Sequence, residues 1–415
     1  MRTNKISKIK LLSSVILLSL STIATDAMAI NGLLFYGVGA RNRAMGGANG
    51  AAPVDSSTVL INPAGVGRVG TTADLGVHLL QANRRMDTSN ASNPAGLVNT
   101  AAGNQDSGQK YYLTPTAGLT YKDSASKWGF GGLIAGVAGE GASYDRPRTV
   151  LGIDPSGNDD FDTSSFLFII KGIPAISYEV SDKLSVGFGL HINAALFSAD
   201  ILNANLVQTE GSGRLDIAYG IGAQIGFIYD INETWTVGGS YTSKQQFEDW
   251  ELYEDLAPNF ALPPEIRASV AFRPTDKLLL TTDLKLIQWT SVDLFDKGPA
   301  DGGFGWDDQL SIGVGLAYEF NDTFTGRAGI NRADTNIKES SVFANALVPT
   351  IYETHLAIGG DLNIYKNNYI SFSVVRTLEN ELTDNGQGDA FSQAGEGTRL
   401  QYDGWDLDVV WTVKF

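Results

Sequence analysis

The most constraining feature of the sequence is the strict alternation of apolar and polar side chains at its C-terminal end. Over residues 400–415 the large apolar side chains share one parity, and the other parity carries mostly glycine, acidic and hydroxyl side chains. The apolar set is Trp405, Leu407, Val409, Trp411, Val413 and Phe415. Because successive side chains of a β-strand point to opposite faces, this segment is predicted to be a strand with one apolar and one polar face.

Similar segments recur along the chain, which predicts an all-β protein with fourteen strands. They lie near residues 71–80, 110–122, 128–139, 165–180, 184–197, 214–230, 235–247, 265–273, 278–290, 308–320, 324–333, 351–365, 369–379 and 399–415. The positions that alternate with the apolar side chains are rich in glycine and charged residues, which is typical of a wall that lines a water-filled or plugged lumen. In a soluble barrel the apolar side chains of each strand would instead face the interior.

The first 29 residues have the features of a secretory signal peptide. A basic start is followed by an apolar stretch at residues 11–23, and Ala27-Met28-Ala29 fits a small-x-small cleavage site. The apolar stretch is too short to cross the hydrocarbon core of a membrane as a helix. We therefore expect residues 1–29 to be removed during export.

Charge and composition narrow the class of protein further. A net charge of −16 argues against a nucleic-acid partner, and the absence of cysteine leaves no disulfide framework. No segment after the leader has the uninterrupted apolar run of a membrane-spanning helix. Such a chain enters a membrane only as a closed barrel, which pairs its backbone N–H and C=O groups internally.

The connections between the predicted strands favour the bacterial outer membrane. Six connections are tight turns rich in Asp, Asn and Ser, and they alternate with seven longer loops. Short periplasmic turns and long extracellular loops are typical of outer-membrane barrels, and an even strand number leaves both termini in the periplasm. Residues 71–415 are therefore predicted to form a fourteen-stranded antiparallel transmembrane β-barrel.

Residues 30–70 lack sustained alternation and are rich in Gly, Ala and Asn. They precede the first strand on the periplasmic side, so we expect them to fold into the lumen as a plug, or hatch. The charges predicted to face the lumen are mixed in sign, and we expect them to bind the hatch and one another rather than to filter ions. They are Lys171, Asp216, Arg267, Arg273, Asp283, Lys285, Glu319 and Arg327.

Three motifs in this stretch resemble the hatch of the FadL-type hydrophobic-compound transporters of the outer membrane. They are the run from Arg43 to Ala48, a short helical segment around residues 55–60 and the triplet Asn62-Pro63-Ala64. The chain is similar to that family along its whole length, from the leader to the terminal phenylalanine. The resemblance implies that a monomer takes up long-chain fatty acids or other hydrophobic molecules, with no cofactor and no enzymatic activity.

The resemblance also gives the triplet a role. In that family the triplet lies near a wall opening made by an inward kink in the third strand, so Asn62, Pro63 and Ala64 are candidates for gating. Taken from the residues alone, Asn-Pro is equally typical of a plain turn or a helix stop.

Two long loops contain apolar residues that suit an external groove for a hydrophobic ligand. The candidates are Ile201, Leu202, Leu206, Trp250, Leu252, Tyr253 and Phe260. The alternative is that the loops pack these residues against one another.

The third strand has too many glycines for a regular central strand, and the fourth contains a proline. The kink candidates are Gly129, Gly131, Gly132, Gly136 and Pro174. Glycine in a strand marks a bulge, a bend or a close approach, and proline cannot donate to the ladder, so a bulge is expected beside the third strand. The alternative for the glycines is that they make room for the hatch.

The remaining features predict partners but no catalytic chemistry. The terminal Phe415 is expected to engage the barrel-assembly machinery, and the outer face to contact outer-membrane lipid and lipopolysaccharide. The acidic loop around Asp154 lacks EF-hand spacing, so a solvated loop competes with a Ca²⁺ site. Three isolated histidines, no cysteine and no nucleophile motif predict no metal centre and no catalytic residue.

Two other classes of function stay open at this point. A passive polar porin shares the strand number and the charge but needs no plug. An outer-membrane enzyme or adhesin needs catalytic residues or a large folded loop domain, and no loop here exceeds about thirty residues.

Overall fold

The computed structural model describes residues 31–92, 103–144, 163–201 and 213–415. The predicted signal peptide and the acidic loop around Asp154 lie outside these residues. The described chain is dominated by one closed β-sheet.

Fourteen long strands form this sheet. They are β1 (Thr72–Asp87), β2 (Tyr111–Lys122), β3 (Trp128–Glu140), β4 (Thr163–Glu179), β5 (Leu184–Asp200), β6 (Asp216–Asp230), β7 (Trp235–Thr242), β8 (Glu265–Thr275), β9 (Leu278–Ile287), β10 (Gln309–Asn321), β11 (Phe324–Ala333), β12 (Thr354–Tyr365), β13 (Asn368–Thr383) and β14 (Arg399–Lys414). Four short strands extend the sheet near the loops: Asn104–Asp106, Ser143–Tyr144, Gln245–Phe247 and Ala261–Leu262.

Each long strand runs antiparallel to the next, and β14 pairs with β1 to close the ring. The closing ladder runs from the Thr72–Lys414 pair to the Asp87–Arg399 pair without a register shift. The predicted fourteen-stranded antiparallel barrel is therefore confirmed. The short turns lie at one end, called the turn end below, and the long loops lie at the other, called the loop end.

Two predicted strands differ from the observed ones. β1 continues to Asp87 instead of ending near residue 80, because residues 81–87 keep the strand geometry although polar side chains occupy both faces. The predicted strand at 235–247 is divided, since β7 ends at Thr242 and Gln245–Phe247 forms a separate short strand.

The two faces of the wall differ in the way that the alternation predicts. On β14, Trp405, Leu407, Val409 and Trp411 point outward and are 40–47% exposed. The intervening Asp406, Asp408 and Thr412 are buried inside. An outer face of this kind is covered when a lipid bilayer surrounds the barrel.

Helices in the described chain are short. They are α1 (Ala40–Ala44), α2 (Thr58–Ile61), α3 (Val66–Val69), α4 (Asp293–Asp296) and α5 (Ala390–Gly395), with 3₁₀ turns at Pro63–Gly65, Trp289–Ser291, Pro299–Asp301 and Phe343–Asn345. Within the part of the chain that the structure describes, no helix has the length and apolar character to span a membrane.

Residues 31–70, called the N-terminal segment below, lie inside the ring. Backbone amides of the segment reach inward-facing carboxylates on opposite parts of the wall. The amide of Ser56 donates to Asp74 on β1 at 2.9 Å, and the amide of Gly50 donates to Asp283 on β9 at 3.1 Å. Near Gly46, whose φ is 63°, the backbones approach so closely that a Cβ on Gly329 of β11 would lie 2.3 Å from the Gly46 nitrogen. Glycine is therefore required at both positions.

Candidate functional site

A largely apolar cavity of about 360 Å³ lies at the loop end of the barrel, between the loops and the ends of β4 and β5. We call it the loop cavity. Much of its wall is aromatic and aliphatic, including Phe197, Ile201, Trp250, Phe260, Phe295 and Phe304. Its charged lining residues are Glu140 and Asp255.

Contacts between aromatic rings hold this wall together. The ring of Trp250 lies 5.4 Å from Phe197 and 5.6 Å from Phe260, and Phe260 lies 6.4 Å from Phe295. Phe295 in turn stacks on Trp306 at 4.6 Å. Such pairs add to the stability gained by burial, so the cavity is formed before any ligand enters it.

The predicted groove residues divide into three groups. Ile201, Trp250 and Phe260 line the loop cavity. Tyr253 is buried beside it and donates its hydroxyl to the Arg214 carbonyl at 2.7 Å, while Leu252 packs against the same core. Leu202 and Leu206 lie outside the described residues.

A second cavity, called the lumen cavity, lies deeper in the barrel between the N-terminal segment and the wall. Its apolar side includes Leu34, Phe35, Val38, Leu60 and Ile61 of the segment. Its polar side consists of the charged residues Lys171, Glu265, Arg267 and Lys285 and the imidazole of His191, from strands β4, β5, β8 and β9. The cavity is therefore amphipathic.

The cations of the lumen cavity are not equally compensated. Arg267 pairs with Asp283 at 2.8 Å, and Lys285 pairs with Glu265 at 3.4 Å. Lys171 is only 2% exposed, and the acidic group that acts on it is Glu265, which is already paired with Lys285. A buried ammonium without a close counter-ion is costly, so an anion at this position would be stabilised.

Residues 33–35 separate the two cavities. Leu33 lines the loop cavity and Leu34 lines the lumen cavity. Their backbone is held against the upper half of β3: Phe35 donates to the Val137 carbonyl at 2.9 Å, and Gly139 donates to the Leu33 carbonyl at 3.2 Å. Leu34 also forms a bridge with Ala138. A ligand that passes between the cavities must displace or pass these residues.

Two arginines of α1 hold the N-terminal segment to one side of the wall. Arg41 pairs with Asp361 on β12 at 2.8 Å. Arg43 pairs with both Asp406 and Asp408 on β14, the latter at 3.0 Å. All of these side chains are at least nine-tenths buried.

Burial and charge act in opposite directions on these groups. Burial lowers the pKa of Arg43, but Asp406 and Asp408 raise it by more, so the pKa lies above its ordinary value and the guanidinium stays charged. At Asp55 burial and the nearby Asp74 together raise the pKa of the carboxyl, although Arg41 opposes them.

The triplet Asn62-Pro63-Ala64 lies on another side of the segment. The Asn62 amide donates to the Gly50 carbonyl at 2.8 Å and to the Phe227 carbonyl of β6 at 3.0 Å, and its oxygen accepts from Ala64 at 3.2 Å. A Cβ on Gly187 of β5 would lie 2.3 Å from the Ala64 nitrogen. The triplet thus packs against β5 and β6, and the following helix α3 packs against β2, β3 and β4.

The third strand is irregular, but not where most of the candidate glycines lie. Gly129, Gly131 and Gly132 sit in regular register with both β2 and β4. The register shifts between Gly136 and Ala138, which leaves Val137 as the extra residue of a β-bulge. A Cβ on Gly131 would lie 2.9 Å from Val59, so the glycines at 129 and 131 make room for the segment.

The wall is interrupted at the same level. Among the described residues, the ladder between β2 and β3 stops at the Thr116–Ala135 pair, so residues 111–115 and 136–140 share no ladder pairs. Pro115 lies directly beyond the last pair and cannot donate a backbone hydrogen bond. Pro115 is not among the predicted kink residues, although a proline inside a predicted central strand is the signal that marks this place.

The bulge expected beside the third strand occurs in the β3–β4 ladder, but at Val137 rather than at Pro174. Pro174 pairs in register with Gly132 on the β3 side. The missing pairs lie on the other side, where the β4–β5 ladder passes from Gly172–Ile192 to Ala175–Gly189. Because the ladder keeps its register there, the proline removes pairs without bending β3.

The lumen charges behave largely as predicted, with exceptions at the turn end. Lys171, Asp216, Asp283 and Lys285 are buried, and Arg267 and Arg327 are partly buried. Arg273 and Glu319 are exposed instead. No group of three or more potential metal-ligating side chains occurs in the described ranges.

Comparison with known proteins identifies the family. The sequence matches a family model described as outer membrane protein transport protein (OMPP1/FadL/TodX) over residues 17–405. The chain belongs to this family. The FadL-type resemblance and the outer-membrane location predicted from the sequence are therefore confirmed, and this OMPP1/FadL/TodX member is a transport protein rather than an enzyme.

Solved structures share the fold of this OMPP1/FadL/TodX member. The P. putida toluene transporter TodX is 16% identical with a TM-score of 0.70, and the match covers 92% of this chain and 99% of that chain. The Ralstonia pickettii toluene transporter TbuX is 18% identical with a TM-score of 0.65 and coverages of 92% and 99%. A Pseudomonas aeruginosa FadL homologue is 15% identical with a TM-score of 0.67 and coverages of 92% and 100%. No curated protein sequence matches this chain significantly.

Proposed function

We propose that this protein carries hydrophobic molecules across the outer membrane, and that long-chain fatty acids suit its interior best. The observation that carries the proposal is the amphipathic lumen cavity below an apolar loop cavity. Two solved relatives of this fold are toluene transporters by name, which supports a hydrophobic cargo. Ligand capture would occur in the loop cavity, at Ile201, Trp250 and Phe260.

The charged side of the lumen cavity favours an acid over a neutral hydrocarbon. Arg267 and Lys285 each have a carboxylate partner within 4 Å, whereas Lys171 shares the more distant influence of Glu265 with Lys285. A fatty acid would supply Lys171 with a close carboxylate, and its chain would have to displace part of the N-terminal segment, because the lumen cavity of about 40 Å³ has room for the head group alone. Hydrogen bonds to charged groups contribute about 1.5–3 kcal/mol, so the head group would add measurably to affinity.

Replacing Lys171 separates acid recognition from apolar binding. We expect Lys171→Met to weaken dodecanoate binding about ten- to hundredfold, the equivalent of one such interaction, and to leave dodecanol binding unchanged. Isothermal titration of the detergent-solubilised barrel measures both ligands. Lys366→Met, in the turn between β12 and β13, is the matched control.

Two results would contradict the proposal in different ways. Equal dodecanoate affinity in Lys171→Met and in the unmodified protein would remove the fatty-acid assignment and favour neutral hydrocarbons. Rapid swelling of proteoliposomes in arabinose would remove hydrophobic transport altogether and favour a passive polar porin.

We infer that residues 30–70 act as a hatch within a barrel of residues 71–415, after a signal peptide at 1–29 has been removed. The contacts of the N-terminal segment with β1, β9, β11, β12 and β14 support this division. Asn62, Pro63 and Ala64 would act in gating, because their bonds to the Gly50 and Phe227 carbonyls must break when this part of the hatch moves.

The exit route that we propose runs sideways through the wall between β2 and β3. An apolar molecule that passes directly into the bilayer avoids exposing its surface to water, at about 25 cal/mol per Å². The interrupted ladder beyond Thr116 and Ala135, with the Val137 bulge beside it, supports this place for the exit.

Removing the bulge tests the exit. We expect deletion of Val137 to bring β3 into continuous register and to lower uptake of radiolabelled dodecanoate by cells severalfold, while the heat-modifiable folded band persists. Gly132→Ala is the control, because a Cβ at that position meets nothing within 4 Å. Uptake at the unmodified rate in a folded Val137 deletion would exclude this route.

The C-terminus provides a separate test of biogenesis. Phe415 is 81% exposed at the turn end, where its amide donates to the Thr71 carbonyl at 3.0 Å. We propose that it is read by the barrel-assembly machinery and that the monomeric barrel then contacts lipid and lipopolysaccharide. Deleting Phe415 should lower the folded fraction in membranes severalfold, and an unchanged folded band would contradict this role.

A further inference from the structure

A buried cluster around Arg84 joins three neighbouring strands just above the wall interruption. Arg84 lies on β1, Tyr112 lies on β2 and Glu140 is the last residue of β3. The Arg84 guanidinium lies 2.6 Å from the Glu140 carboxylate, and both side chains are 1% exposed. The side chains thus connect β1 to β3 across β2 at the level where β2 and β3 share no backbone ladder.

Further bonds tie the cluster to the end of β3. The Arg84 guanidinium donates to the Tyr112 hydroxyl at 3.1 Å, and that hydroxyl lies 3.1 Å from the Gly141 carbonyl. The Glu140 carboxylate accepts from the Gly141 amide at 2.9 Å and from the Tyr352 hydroxyl. The backbone amide and the backbone carbonyl of Gly141 are therefore both bonded to side chains.

The aromatic surroundings leave Arg84 little freedom. Its guanidinium lies 5.3 Å from the Tyr112 ring, 5.9 Å from the Tyr352 ring and 5.5 Å from the Tyr402 ring. Cation–π contacts of this kind are strongest when the cation is desolvated, as it is here. Tyr352 and Tyr402 also meet edge to face at 4.0 Å.

The upper half of β3 needs such an anchor. Beyond Ala135 it shares no ladder pairs with β2, although its ladder with β4 continues to Glu140, and on the inner side it is held by residues 33–35 of the N-terminal segment. Those residues also separate the two cavities, so a passing ligand disturbs them. An anchor that is independent of the segment keeps β3 in place when they move.

We propose that Arg84 is a positioning residue that holds the loop-end half of β3 beside β2 without ladder pairs and so keeps the wall exit in its observed geometry. The proposal rests on the proposed sideways exit for its effect on transport. The positioning role itself can be tested without transport, because cross-linking reports the position of β3 directly.

A pair of cysteines reports on that position. The chain contains no cysteine, and a Cβ on Gly136 would lie 3.0 Å from the Thr114 Cβ across the interruption. A disulfide needs a Cβ separation of about 3.5–4.5 Å, which a small shift provides. Thr114→Cys with Gly136→Cys should therefore cross-link readily while β3 keeps its place.

The test places substitutions of the cluster in this background. We expect Arg84→Gln to slow cross-linking severalfold and to lower dodecanoate uptake. Arg84→Gln combined with Glu140→Gln removes the unpaired charge, and we expect cross-linking to stay slow because the bridge is still missing. Arg376→Gln, which breaks an ion pair with Asp403 on the outer face, is the control. Tyr112→Phe removes only the hydroxyl that joins Arg84 to the Gly141 carbonyl. It is the variant to measure if Arg84→Gln does not fold.

The outcomes separate this proposal from the exit route. Slower cross-linking with unchanged uptake supports the positioning role and counts against the sideways exit. Unchanged cross-linking in folded Arg84→Gln and Tyr112→Phe would overturn the positioning role, even when deletion of Val137 lowers uptake.

Discussion

Deleting residues 31–70 should convert a barrel that conducts ions poorly into one that conducts them steadily. The N-terminal segment reaches the wall at β1 through Ser56, at β9 through Gly50, at β11 through Gly46 and at β14 through Arg43. It therefore contacts the wall on several sides, and we propose that it blocks the water column within the part of the barrel that the structure describes. In planar bilayers we expect the deletion to raise single-channel conductance severalfold.

A partial change is the control for this deletion. Asn62→Ala removes the bonds to the Gly50 and Phe227 carbonyls but leaves the α1 ion pairs intact. We expect its conductance to stay near that of the unmodified protein, apart from brief openings. A large steady conductance in the intact protein would contradict the plugging role and favour a passive polar porin.

Replacing Arg43 should produce the largest loss of stability among single substitutions. Arg43→Ala leaves the carboxylates of Asp406 and Asp408 buried without this partner, and breaking a buried ion pair costs about 3–5 kcal/mol. Urea unfolding of the barrel in lipid vesicles, followed by tryptophan fluorescence, measures the change.

The control for Arg43 is a triple substitution. Arg43→Leu with Asp406→Asn and Asp408→Asn removes all three charges, and we expect it to recover part of the lost free energy because no unpaired charge remains. A loss of less than about 1 kcal/mol in Arg43→Ala, the range of exposed pairs, would contradict the importance of the anchor.

The fold was largely predictable because lipid on one side and water on the other impose a period of two on every strand. That requirement ends where the bilayer ends. In β1 the alternation reverses beyond residue 80, since Ala82, Arg84 and Met86 face inward and the outward residues are polar, and Arg84 was missed for this reason.

The candidate site was less predictable because its features depend on neighbours from distant strands. The glycines of β3 look alike in the sequence, yet Gly131 faces Val59 of the N-terminal segment while Gly136 borders the bulge. Lys171 was predicted to face the lumen, but the charge balance around it depends on the pairing of Glu265 with Lys285. No local pattern carries that information.

The ion pairs of α1 also constrain the order of biogenesis. Arg43 is among the first residues of the described chain to be synthesised, and its partners Asp406 and Asp408 lie on the last strand. Since β14 also closes the ring against β1, the final zipping step completes the wall and neutralises the interior at the same time. Until β14 pairs with β1, Arg43 of the N-terminal segment lacks its partners on that strand, so we expect its ion pairs to form only when the ring closes.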